Sequence, residues 1–135
     1  MATEPVLRCV RDYYWGCIYC EDVEGYDGDY DHLSGGGPFF AVDDQVTIQV
    51  ANCRVVDSQD ADVELTVYVH DVPVPSSDHA SVIVLPSGVL SIGDADRFDE
   101  IFLRPGRWLM QVDLDPRQPE EARWVKFYLS PADPH

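Results

Sequence analysis

Phe102-Leu103-Arg104-Pro105-Gly106-Arg107-Trp108-Leu109-Met110-Gln111-Val112-Asp113-Leu114 reads as strand, tight turn, strand. At the turn, proline presets φ for the first central position and Gly106 accepts the positive φ of the second. Beyond it, Trp108, Met110, Val112 and Leu114 fall two apart, with Arg107, Leu109, Gln111 and Asp113 between them. That is the period of a strand with one heavily buried face.

The same grammar extends in both directions. Upstream, Pro86-Ser87-Gly88 reads as a hairpin turn between Ala80–Leu85 and Val89–Ile92, and Phe98–Leu103 leads into the Pro105-Gly106 turn. Val46, Ile48 and Val50 alternate with polar neighbours. So do Val63, Leu65, Val67 and Val69, with Glu64, Thr66, Tyr68 and His70 on the other face. One apolar and one polar face is the mark of an antiparallel, half-buried strand. Downstream, Val125, Phe127 and Leu129 oppose Trp124, Lys126 and Tyr128. Residues 6–10, 13–20 and 39–42 complete the set, and Val72-Pro73-Val74-Pro75 is a proline-rich connection that no central strand tolerates. About eight to nine short strands with turn chemistry between them, and no helical period, predict an all-β fold. The unequal connections favour an antiparallel β-sandwich over a barrel.

A chain of 135 residues fits a single domain, residues 1–135, able to bury its own core. Its hydrophobic content of 45% excludes a disordered chain, and its apolar runs are too short to cross a membrane as a helix. The first residues, Met-Ala-Thr-Glu-Pro-Val, lack the basic and apolar regions of a secretory signal. The expected location is cytoplasmic, with reduced cysteines.

Charge is the outlying property. The net is −16, and the stretch from Asp12 to Asp96 holds 17 acids and one base, Arg54. Such a field repels nucleic acid and anionic lipid and attracts basic proteins. Its densest part is the loop read over residues 21–38. Glu21, Asp22, Glu24, Asp27, Asp29 and Asp31 carry no compensating base, Tyr26 and Tyr30 are interleaved, and Gly35-Gly36-Gly37 closes the loop. Closely spaced carboxylates imitate a line of phosphates, and tyrosines supply contact area at low entropic cost. These eight side chains are the candidate partner-binding residues. A basic nuclease or toxin is the matching partner, bound by a monomer or homodimer.

No catalytic signature is present, and no cofactor is expected. Cys17-Ile18-Tyr19-Cys20 has the spacing of half a zinc site or a redox pair. In a strand, however, positions 17 and 20 point to opposite faces, which favours buried thiols. Metal binding by Cys9, Cys17, Cys20 and Cys53, or calcium binding by Asp27, Asp29 and Asp31, is the alternative function. The calcium pattern fails at His32 and Pro38, where an EF-hand has glycine and a bidentate acid. His32, His70, His79 and His135 share no ligand spacing and read as surface histidines. The aromatic stretch Tyr13–Tyr19 is a third candidate surface, for dimerisation.

The order of Val63–Asp71, Leu85-Pro86-Ser87-Gly88, Leu103-Arg104-Pro105-Gly106-Arg107-Trp108 and Trp124–Pro131 resembles the small bacterial β-sandwich proteins of the competence protein J type. The resemblance covers roughly residues 45–131 and rests on structural motifs, so no functional residue transfers with it. It implies nuclease inhibition or toxin immunity, the direction in which the charge also points.

Overall fold

The computed structural model describes residues 4–13, 17–24, 39–42, 45–50, 62–93, 98–116 and 122–132. Ten strands run through them: β1 (Leu7–Asp12), β2 (Cys17–Asp22), β3 (Phe39–Val42), β4 (Gln45–Gln49), β5 (Asp62–Val69), β6 (His79–Leu85), β7 (Val89–Gly93), β8 (Phe98–Phe102), β9 (Gly106–Leu114) and β10 (Trp124–Pro131). They form two five-stranded sheets, sheet A in the order β1-β5-β10-β9-β6 and sheet B in the order β3-β4-β2-β7-β8. The sheets pack face to face as an all-β sandwich. One pair departs from the antiparallel expectation: β10 runs parallel to β5.

Alternation decides which side chains meet in the middle. The inward faces of β9, β5, β4 and β10 supply Trp108, Met110, Val112, Leu114, Val63, Leu65, Val67, Val46, Ile48, Val125, Phe127 and Leu129, all buried in one core cluster. Ile18, Cys20, Leu90, Ile92 and Ile101 close it from β2, β7 and β8. β10 is the middle strand of sheet A, between β5 and β9, and β9 is interior too, pairing along its length with β10 on one side and β6 on the other.

The two tight turns do not join paired strands. β6 and β9 belong to sheet A, and β7 and β8 to sheet B. Pro86-Ser87-Gly88 and Leu103-Arg104-Pro105 are therefore arches that carry the chain from one sheet to the other, not hairpins. The turn chemistry is as read: Gly88 N donates to Leu85 O at 3.0 Å, and Gly88 and Gly106 have φ of 81° and 134°. The partner strands differ, because an arch and a hairpin ask the same residues for the same reversal. The arches lie against each other, with Leu103 N donating to Gly88 O at 2.8 Å. Trp108 Nε1 donates to Arg104 O at 3.0 Å and ties the second arch to the core.

The proline-rich segment lies against sheet A. Gln111 on β9 presents its amide to Val74 as another strand would: Val74 N donates to Gln111 Oε1 at 2.9 Å, and Gln111 Nε2 donates to Val74 O at 3.1 Å. Below it, Asp78 N donates to Asp113 Oδ1 and Leu114 N donates to Asp78 Oδ2. Gln111 is buried, so truncating it strands two backbone groups. Gln111→Ala is expected to cost about 2–3 kcal/mol, and hydrogen exchange of Val74 N–H should accelerate more than that of core amides.

Candidate functional site

The acidic stretch begins inside the sandwich, not in a loop. Glu21 and Asp22 are the last residues of β2, opposite Ser91 and Leu90 of β7. Asp22 is only 5% exposed. Its Oδ2 accepts from Ser87 N at 2.9 Å and Ser87 Oγ at 2.8 Å, and its Oδ1 accepts from Glu24 N at 2.8 Å. Burial raises the carboxyl pKa, but these three donors outweigh it and hold the group below its ordinary value. Asp22 is thus a clamp between the end of β2 and the β6–β7 arch. Glu21 is half-buried and receives a long contact of 3.5 Å from Gln45 Nε2, while Glu24 is exposed. Tyr26, Asp27, Asp29, Tyr30 and Asp31 lie outside the described residues.

Glu21 belongs to a face of sheet B turned away from the core. Pairing across β2, β7 and β8 sets three rows on it. Tyr19, Gly93 and Phe98 form the first, and Glu21, Ser91 and Glu100 the second. Val89 and Phe102 form the third, reached by Val23 through its N–H bond to Val89 O at 2.9 Å. A carboxylate row thus lies between two rows that carry apolar side chains. On β8 the outward residues are Phe98 at 52% exposed, Glu100, and Phe102 at 76% exposed. The sequence contains this signal as Phe98-Asp99-Glu100-Ile101-Phe102, with aromatics on the side opposite Ile101. It was hidden because the segment reads as half of a hairpin.

β8 and β1 are edge strands of their sheets and meet at one margin. There Arg11 Nη2 of β1 lies 2.8 Å from Asp99 Oδ2 of β8, and Cys9 Sγ lies 4.0 Å from the same oxygen. An inward-pointing ion pair of this kind discourages indiscriminate edge pairing. Tyr13 OH and Arg11 Nη1 are buried nearby, without a hydrogen-bond partner among the described residues. Burial pushes the Cys9 thiol pKa up, with Arg11 pulling in the opposite direction, and pushes the Tyr13 hydroxyl far up. Neither group is primed as a nucleophile. Beside this cluster a groove of about 440 Å³ opens between the sheets, lined by Val6, Leu7, Val69 and residues 99–103.

The remaining candidates are spread apart. Cys17 and Cys20 point to opposite faces of β2, and burial raises both thiol pKa values. Cys53 lies outside the described residues. Among the described residues, no three His, Cys, Asp or Glu side chains converge as a metal site would require. His70 stacks with Tyr68 and Tyr128 on sheet A, as an outward histidine should. His79 departs from the surface reading: it opens β6 and stacks on Phe39 of β3 at 4.8 Å, half-buried. Its neighbour is a strand of the opposite sheet, which no local pattern reveals.

No protein-family model matches this chain, and no curated protein sequence matches it. Two solved structures share its fold. The product of crocagin biosynthetic gene J superposes with a TM-score of 0.54 at 14% identity, over 98% of this chain and 100% of that one. ComJ from Bacillus subtilis, an inhibitor of the DNA-degrading activity of NucA, superposes with a TM-score of 0.65 at 6% identity, over 98% of this chain and 100% of ComJ. The likeness therefore extends well beyond residues 45–131, into the N-terminal part for which the sequence offered no counterpart. The chain has the fold of ComJ.

Proposed function

We propose that this chain is a non-enzymatic acidic protein of the cytoplasm that binds and neutralises a basic partner, a nuclease or a toxin. The observation that carries the reading is end-to-end similarity in fold to an inhibitor of a DNA-degrading enzyme. The charge supports it independently. A protein at −16 attracts a cleft built to hold DNA, and carboxylates spaced along a strand and its continuation stand in for phosphates. Glu21 and Glu24, with Asp27, Asp29 and Asp31 after them, supply that line, and Tyr26 and Tyr30 supply anchors. Asp22 has a different task, since its oxygens are engaged with Ser87 and Glu24.

The test is inhibition of DNA degradation. The targets are purified NucA and, where a neighbouring gene encodes a nuclease or toxin, that protein. Stoichiometric inhibition that weakens as salt rises is expected. Changing Glu21, Glu24, Asp27, Asp29 and Asp31 together to their amides, with Asp22 retained, should slow association by about tenfold or more and flatten the salt dependence. Unaltered association would remove the acidic stretch from the interface. Failure of the wild-type protein to inhibit any of these enzymes would remove the inhibitor reading.

A further inference from the structure

We propose that the β8 margin of sheet B, centred on Phe102, is the surface on which the basic partner docks. The proposal rests on the inhibitor reading above and gives it a location outside the acidic loop. Three observations carry it.

The first is exposure. Phe98 and Phe102, on the outward face of the edge strand β8, are among the large apolar side chains left open to solvent, at 52% and 76%, and Val6, which lines the adjoining groove, is 54% exposed. Large exposed aromatics gathered at one sheet margin are the usual sign of an interaction surface. The second is shape. Phe102 is among the residues lining the 440 Å³ groove, together with Val6, Leu7, Val69, Ile101 and Leu103, so a side chain inserted there would meet a largely apolar lining. The third is charge. Glu100 stands between Phe98 and Phe102, roughly 7 Å from each along the strand, and shares its cross-strand row with Glu21.

This combination selects the occupant. A lysine or arginine lays its aliphatic stem on an aromatic ring and delivers its charge to a carboxylate beside it. A partner with such side chains satisfies the aromatic and acidic rows together. A second copy of this chain would bring another −16 and set carboxylate against carboxylate. Glu21, near the end of β2, lies on this same face and adds a second carboxylate to its acidic row.

The experiment measures inhibition of NucA and, where a neighbouring gene encodes a nuclease or toxin, of that protein. It compares the wild type with Phe98→Ser, Phe102→Ser, Glu100→Lys and, as a control on the proline-rich segment, Val72→Ser. Phe102→Ser should weaken inhibition by about 30-fold or more. Glu100→Lys should slow association by about tenfold, and Val72→Ser should leave inhibition unchanged. Hydrogen exchange on the wild-type complex supplies a reading that needs no variant: amides of residues 98–102 should slow when the partner is added. Full inhibition by all three β8 variants, or unchanged exchange at β8 in an inhibited complex, overturns this proposal and leaves the inhibitor reading standing. A wild-type protein that inhibits none of the enzymes removes both. Sedimentation showing a dimer that Phe102→Ser splits while inhibition persists would assign the face to a second copy and overturn the proposal.

Discussion

Replacing Gly88 with alanine is expected to lower stability by about 2–5 kcal/mol, a large part of what a domain of this size possesses. Two costs combine. The residue holds φ at +81°, where a Cβ is strained. A Cβ built there would lie 2.7 Å from Pro105 N and 2.9 Å from Arg104 C. Those are backbone atoms of the neighbouring arch, so relief requires the two arches to separate. Separation would in turn stretch the Leu103 N to Gly88 O bond of 2.8 Å. Gly106 provides the comparison. Its φ is +134°, but a Cβ there meets nothing within 4 Å, so Gly106→Ala carries the backbone term alone, about 1 kcal/mol. Urea denaturation should show a much larger fall in midpoint for Gly88→Ala, with an unchanged slope in both variants. Equal losses would mean that the arches do not bear on each other.

Asp22→Ala is expected to cost about 3 kcal/mol, since it removes a charged acceptor from three donors and leaves Ser87 N without its partner. The pH dependence identifies the cause. The folded pKa of Asp22 lies below its ordinary value, so its contribution is fully present above the unfolded pKa of about 3.9. It is lost as pH falls through the folded value. The stability gap between wild type and Asp22→Asn should therefore be widest near neutrality and narrow below about pH 4. A double-mutant cycle with Ser87→Ala should show strong coupling, because both changes break the same contacts. A gap independent of pH would indicate that shape, and not charge, matters at this position.

Asp22 also changes how the charge of this protein is understood. Several of its acids are structural acceptors. Asp78 and Asp113 bind the backbone around β9, and Asp115 Oδ2 accepts from Arg123 N at 2.9 Å just before β10. Each fastens a connection to a strand, because an ionised carboxylate is a strong acceptor for the N–H groups that loops leave unpaired. Acidity in this chain fastens its connections, and the proposed function draws on other carboxylates. Composition alone does not separate them; the surroundings of each carboxylate do.

The sequence by itself determined the fold class and the identity of the core. Alternation of apolar residues is local, and a strand must turn every second side chain the same way. Trp108 to Leu114, Val63 to Val67 and Val125 to Leu129 thus declared their buried faces without knowledge of any neighbour, and proline and glycine marked the reversals. Tertiary structure alone decided the pairing. Pro86-Ser87-Gly88 and Pro105-Gly106 reverse the chain equally well within a sheet or between sheets, and only the packing of β6 and β9 into sheet A made them arches. The parallel pairing of β5 with β10 joins segments far apart in sequence. Asp22 could be recognised as a clamp only once Ser87 stood beside it. Phe98 and Phe102 became a surface only because β8 ended a sheet and nothing among the described strands followed it. Which side of a strand is apolar is written in its own residues, but what lies across from that side depends on strand order, a property of the whole chain.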